Sequence, residues 1–122
     1  MDPLLHVEDD IDAPKKQFDK NGKEFEVGQK IRVRREGIKA HQVPSNATGI
    51  FDGTVFKADD SLPYLIVPAG LCGVVTKVID TQVLSANFPI RVRFEPDEIS
   101  GEGFRAPASF VMHFGPQEVE IV

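Results

Sequence analysis

Apolar and polar residues alternate most cleanly in the C-terminal third of the chain, where Ile90, Val92 and Phe94 are separated by Arg91 and Arg93. A period of two puts the apolar set on one face of a strand and the guanidinium groups on the other. Just upstream, residues 73–79 (GVVTKVI) form a β-branched, nearly continuous run, as expected of a strand covered on both faces. Residues 119–122 add a short alternating piece at the end. The same alternation recurs in residues 27–35, where Val27 and Gly28 turn the chain in, Ile31 and Val33 face a core, and Arg32 and Arg34 face away from it. Residues 38–44 read as a second extended piece, with Pro44 marking an edge or an exit. Residues 104–106 and 110–114 bracket Pro107, and Gly115-Pro116 turns into the last strand.

Helical spacing is almost absent. Five or six short strands between Gly/Pro turns predict an all-β fold, a small SH3-like barrel over residues 27–122. Residues 1–17 show no period and mix acids with Pro3 and Pro14, the composition of an extended arm that only a partner would order. Asn21-Gly22, at the centre of residues 18–26, predicts a hairpin closed by a type I′ turn. Residues 1–26 are thus read as an acidic N-terminal arm. Residues 45–68, with Gly49, Gly53, Pro63 and Pro68, read as a long inserted loop holding two short β-like runs, 54–56 and 64–67. Residues 97–103 read as a loop between strands.

The length of 122 residues is that of one domain, and nine Phe against one Tyr and no Trp supply its bulky core material. A net charge of −5 argues against generic nucleic-acid affinity, which needs positive charge to release counterions. The imbalance is uneven. Residues 1–26 hold eight acids and four lysines, whereas residues 27–122 hold eleven acids and ten bases. The single Cys72 excludes a disulfide within the chain, a Cys-rich zinc site and an iron–sulfur cluster built by this chain alone. Its neighbours Leu71, Gly73 and Val74 predict a small buried side chain. No apolar run approaches the roughly 18 residues of a membrane span, so no transmembrane segment is expected. Residues 1–10 lack both a basic n-region and an Arg/Ser-rich transit character, so an imported protein would be represented by its mature form. Asn46-Ala47-Thr48 matches a glycosylation acceptor by chance, there being no secretory signal.

The search for chemistry finds little. His6, His41 and His113 are widely spaced, and none falls into a metal-ligand pattern. Ser85 has no Gly-x-Ser-x-Gly elbow, and there is neither a Walker loop nor a Gly-x-Gly-x-x-Gly. Asp19-Lys20-Asn21-Gly22 lacks the spaced carboxylates that would continue a calcium loop. Asp59-Asp60 and Glu118/Glu120 read as solvated carboxylates. No catalytic residue and no bound cofactor are expected. What remains is a charge pattern: Arg32 and Arg34 on one strand and Arg91 and Arg93 on another, joined by Lys30 and Arg105 if the strands lie close. Such a face is either an ordinary solvated surface or a dock for an acidic partner, since arginine's fork suits carboxylates and phosphates.

Several blocks together resemble a known family. Residues 27–33 (VGQKIRV), 38–44 (IKAHQVP), 73–75 (GVV), the block Ser85-Ala86-Asn87-Phe88-Pro89 with Val92 and Phe94, residues 104–106 (FRA) and 118–121 (EVEI) look like the variable (alpha) chain of ferredoxin–thioredoxin reductase. The resemblance implies an SH3-like barrel packed on a catalytic chain that itself carries the iron–sulfur cluster and the redox disulfide. It adds His41, Ser85, Asn87 and Phe88 to the arginines as candidate partner-binding residues. The same barrel, with a Phe-Pro-Ile-x-Val-x-Phe strand, also resembles the E subunit of photosystem I and the S subunit of the photosynthetic NDH complex, both linked to ferredoxin. The implied setting is a hetero-oligomer with a redox protein or a thylakoid complex, in the chloroplast stroma, on the stromal face of the thylakoid, or in a cyanobacterial cytoplasm. An RNA-binding barrel is the alternative from another class; the acidic total speaks against nucleic acid.

Overall fold

The computed structural model describes residues 16–79, 87–97 and 99–122. Most of the expected arm (residues 1–15) and Ser85 lie outside the described residues. The protein is all-β and barrel-like: β1 (Lys30–Val33), β2 (Ile38–Ala40), β3 (Gly49–Asp52), β4 (Val55–Ala58), β5 (Leu65–Val67), β6 (Cys72–Val78), β7 (Ile90–Phe94), β8 (Phe110–Phe114) and β9 (Val119–Ile121). A 3-10 turn at Ser45–Ala47 is the only helical element among the described residues. The strands form a five-stranded sheet in the order β8-β7-β6-β1-β9 and a four-stranded sheet in the order β2-β5-β3-β4.

The five or six strands expected from alternation therefore come out as nine. The difference lies in residues 45–68, where the two β-like runs, 54–56 and 64–67, form as β4 and β5 and a further strand, β3, precedes them. These strands are three or four residues long, and β3 and β4 bury little: only Gly49 is buried in them, so no period of two marks them in the sequence. Another expectation is corrected in β6. Its β-branched run suggests cover on both faces, yet Lys77 is exposed and Val74, Thr76 and Val78 are half-buried, so only its start is enclosed.

Alternation holds firmly in β1 and β7. Ile31 and Val33, and Ile90, Val92 and Phe94, are fully buried, while the residues between them are half-buried or exposed. They join Leu65, Val67, Leu71, Val75, Phe110, Phe114 and Val119 in one core. Phe94 is its centre, stacked on Phe110 with ring centroids 4.9 Å apart and edge-on to Phe114 at 5.9 Å. Burying a side chain of this size contributes about 2–3 kcal/mol by transfer, and the aromatic pairing adds to it. Gly73 lets β6 and β7 close over that ring. A Cβ there would sit 2.7 Å from Val92 Cγ1 and 2.9 Å from Phe94 Cδ1.

The hairpin around Asn21-Gly22 forms, with a different turn. Asp19 and Lys23 face each other across a three-residue loop, since Asp19 N–H donates to Lys23 O at 2.8 Å and Gly22 N–H to Asp19 O at 3.0 Å. Gly22 takes the left-handed conformation (φ 79°) that such a loop asks of its last residue. Asp19, only 6% exposed, organises the turn. Its Oδ1 accepts the N–H groups of Asn21 and Lys23, each at 2.9 Å, and its Oδ2 accepts the N–H of Ile121 in β9 at 3.1 Å. With Phe25 buried in the core, the hairpin is fastened to the barrel along β9.

Candidate functional site

Strand register decides which of the arginines can act together. Lys30 of β1 pairs with Val74 of β6, Val74 with Arg93 of β7, and Arg93 with Val111 of β8, giving one row across four strands. The next row holds Lys77, Arg91 and His113. Arg32 stands in a third row between Cys72 and Glu120. Paired residues point to the same side of a sheet, so Lys30, Arg32, Lys77, Arg91 and Arg93 share the outer face of the five-stranded sheet. Strand β6 lies between Arg32 and Arg93, a separation on the order of 10 Å.

Most of these guanidinium groups are anchored within the chain. Arg32 donates from Nε and Nη2 to Glu120 Oε1 at 3.1 and 2.9 Å, with Glu102 Oε1 at 3.5 Å from Nη1. Lys20 Nζ stands 3.3 Å from the other Glu120 oxygen. The Arg32 hydrogen bond holds the Glu120 carboxyl below the ordinary carboxylate range despite partial burial, and Glu120 in turn raises Arg32. Arg93 donates from Nε to Glu95, whose other oxygen accepts the Ser109 hydroxyl. The Ser109 and Arg93 hydrogen bonds lower the Glu95 pKa. Arg91 donates from Nε to Thr76 Oγ1 at 2.9 Å. Its terminal Nη groups have no partner among the described residues, and neither do the ammonium groups of Lys30 and Lys77.

The remaining sequence candidates scatter. Arg34 lies just beyond β1, exposed, and donates to the Gln117 carbonyl at 2.9 Å. Arg105 is exposed on the loop before β8, in an isolated bridge to Ile99. His41 follows β2 and meets the Tyr64 ring edge-on at 5.4 Å. Asn87 and Phe88 lie just before β7, both exposed, Phe88 at 53%. Cys72 is buried, with Sγ–H donating to Gly70 O at 3.7 Å.

Sequence reasoning missed a groove. A cleft of about 410 Å³ is lined by Arg35, Ile38, Lys39, Phe88, Met112 and His113 among others, and an adjoining one of about 260 Å³ by residues 39–42 and 111–113. Residues of β2 and β8 line both. No local signal could reveal it, because β2 and β8 belong to different sheets and meet only in the folded chain.

Among the described residues no group of three His, Cys, Asp or Glu could hold a metal ion, and no helix is long and apolar enough to cross a membrane. Comparison with family models, curated proteins and solved structures finds no match.

Proposed function

We propose that this chain is a non-catalytic accessory subunit of a ferredoxin-linked photosynthetic redox complex, most like the variable chain of ferredoxin–thioredoxin reductase. In this reading it stabilises an iron–sulfur catalytic partner and helps to dock ferredoxin. The observation that supports it best is the outer face of the five-stranded sheet, where five cations stand against Glu120, Glu95 and Glu102 in a protein of net charge −5. Concentrating positive charge on one face of an acidic protein steers an acidic partner to that face. A second reading is a peripheral stromal-side subunit of photosystem I or the NDH complex. It is favoured by exposed apolar side chains elsewhere on the surface, Ile50 and Val55 on the β3–β4 hairpin and Phe18 in the hairpin around Asn21-Gly22, which suit a chain held by several neighbours.

The test is charge reversal of Arg91→Glu with Arg93→Glu, followed by ferredoxin binding at about 0.02 and about 0.2 M salt. The expected result is binding that weakens with salt in the parent and falls at least about tenfold in the variant, mainly through association rate. Equal binding by both proteins at both salts would sink the docking role. Sedimentation from gently solubilised cells separates the two readings: a small complex with an iron–sulfur protein supports the first, and a large pigmented assembly the second.

A further inference from the structure

The strand edges of the two sheets are treated differently. At the β9 edge, the Asp19 carboxylate takes the Ile121 N–H and the 17–25 hairpin lies alongside. At the β4 edge, Lys57 is ion-paired to Asp52 of β3 at 3.2 Å, a charge on an edge strand being a common guard against further pairing. β8 has no such guard. It is five residues long, Phe110-Val111-Met112-His113-Phe114, pairs among the described residues only with β7, in unbroken register, and holds no Pro, Lys, Arg or bulge. β2 is likewise an edge among the described residues, paired only with β5. The two open edges share the two adjoining clefts, so the groove between them is flanked by unpaired backbone donors and acceptors on both sides.

We propose that this groove is a strand-addition site that takes an extended acidic segment of a partner protein along the open edge of β8. The backbone supplies affinity, and alternate side chains supply selection. Apolar residues of the added strand would meet half-buried Met112 and Ile38, with exposed Phe88 and Val111 (40% exposed) at the rim. Charge favours an acidic segment at the smaller cleft, which Lys39 lines with no carboxylate, whereas in the larger one Arg35 and Lys39 balance Glu118 and Glu36. The Glu118 carboxylate is already occupied, Oε1 by the Gly115 N–H at 2.8 Å and Oε2 by Arg35 at 3.7 Å. Lys39 has no carboxylate partner among the described residues; its ammonium rests 4.8 Å from the centre of the Tyr64 ring, with His41 on the same ring and His113 across the groove. Glu36 is the remaining acid in the lining. The groove meets the arginine face at Val111 and His113, which pair with Arg93 and Arg91; Lys39, Ile38 and Met112 belong to the groove and not to the arginine rows.

The test uses the full ¹⁵N-labelled chain and a blocked peptide of about eight residues, alternating Glu and Val, long enough to cover β8. Two controls accompany it: the same peptide with Lys for Glu, and one with alternate backbone amides N-methylated so that it cannot pair. The Glu–Val peptide is expected to shift the amide resonances of residues 110–114 and 38–40 and to slow hydrogen exchange in β8. It should bind about tenfold tighter than either control. Lys39→Glu, a change at an exposed position, should remove that preference while leaving ferredoxin binding through the arginine face unchanged. Equal binding by the N-methylated peptide, or shifts centred on Arg91 and Arg93 instead of β8, would overturn the proposal. So would a dimer in the absence of peptide that protects β8, which would assign the groove to a second copy of the chain.

Discussion

The two sheets hold their strands by different means. In the five-stranded sheet, β7 alternates buried and outward residues and places Ile90, Val92 and Phe94 in the core. In the four-stranded sheet, β5 gives Leu65 and Val67 to the same core, but the β3–β4 hairpin reaches it only through Phe51 and Phe56 at its margin. Those rings meet each other at 5.7 Å, and Phe51 meets Phe104 at 5.8 Å, all edge-to-face and all half-buried. Stability thus resides mainly where alternation is strict, and the β3–β4 hairpin is held by a few aromatic contacts. Local opening follows the same gradient.

The largest test of this contrast is a pair of truncations. Phe94→Ala should cost about 3–5 kcal/mol and Phe56→Ala about 1–2 kcal/mol, read as the shift in urea midpoint at constant m. Similar costs would mean that the hairpin is as integral as β7. Next comes the fastening of the hairpin at residues 17–25. Asp19→Ala removes charged acceptors from three backbone N–H groups and should cost about 2–3 kcal/mol, with exchange protection lost first at Ile121.

Its pH dependence has a definite sign. Burial by itself would raise the Asp19 pKa, but the hydrogen bonds from Lys23, Ile121 and Asn21 outweigh it and hold the carboxyl below its ordinary value. The unfolded chain therefore takes up the proton first. The contribution is complete above the ordinary carboxylate range near pH 4 and is lost as pH falls through the depressed folded value. Asp19→Asn should flatten stability against pH in that window; an unchanged slope would show that other carboxyls govern it. The smallest effect is expected on the outer face. A double-mutant cycle on Arg32→Ala and Glu120→Ala should give about 1 kcal/mol or less, because the Arg32 side chain is 37% exposed and solvent screens the pair.

Residues whose burial alternates are legible in the sequence. Ile31, Val33, Ile90, Val92 and Phe94 announce their strands because each strand has one wet and one dry face. β3 does not, because it has no properly dry face, and β4 shows only as the short β-like run at 54–56. The Asn21-Gly22 turn is legible as a hairpin but not in type, since Asp19 accepts from Asn21 and Lys23 and so favours a three-residue loop. The outward direction of Arg32, Arg91 and Arg93 follows from the same period. Their internal engagement follows only in part: Glu95 stands two residues from Arg93 on the same face, but Ser109 of the loop before β8 on its other oxygen, and Glu120 reaching Arg32 across 88 residues, are contacts of the folded chain. The family resemblance groups His41 with the arginines; its ring is engaged by Tyr64 beside β5, and it lines the groove together with Val111 and His113 of the arginine rows.

The central place of β1 has a kinetic consequence. It pairs with β6 on one side and β9 on the other, partners about 40 and about 90 positions further along the chain. Loops of that length close late, so the β6-β7-β8 meander is the natural nucleus, and β1 can only dock once it exists. Until then the free edge of β6, with its β-branched run, is open to misplaced pairing. Slow refolding, with amide protection in β7 and β8 preceding protection at Ile31, would be the mark of that order of assembly.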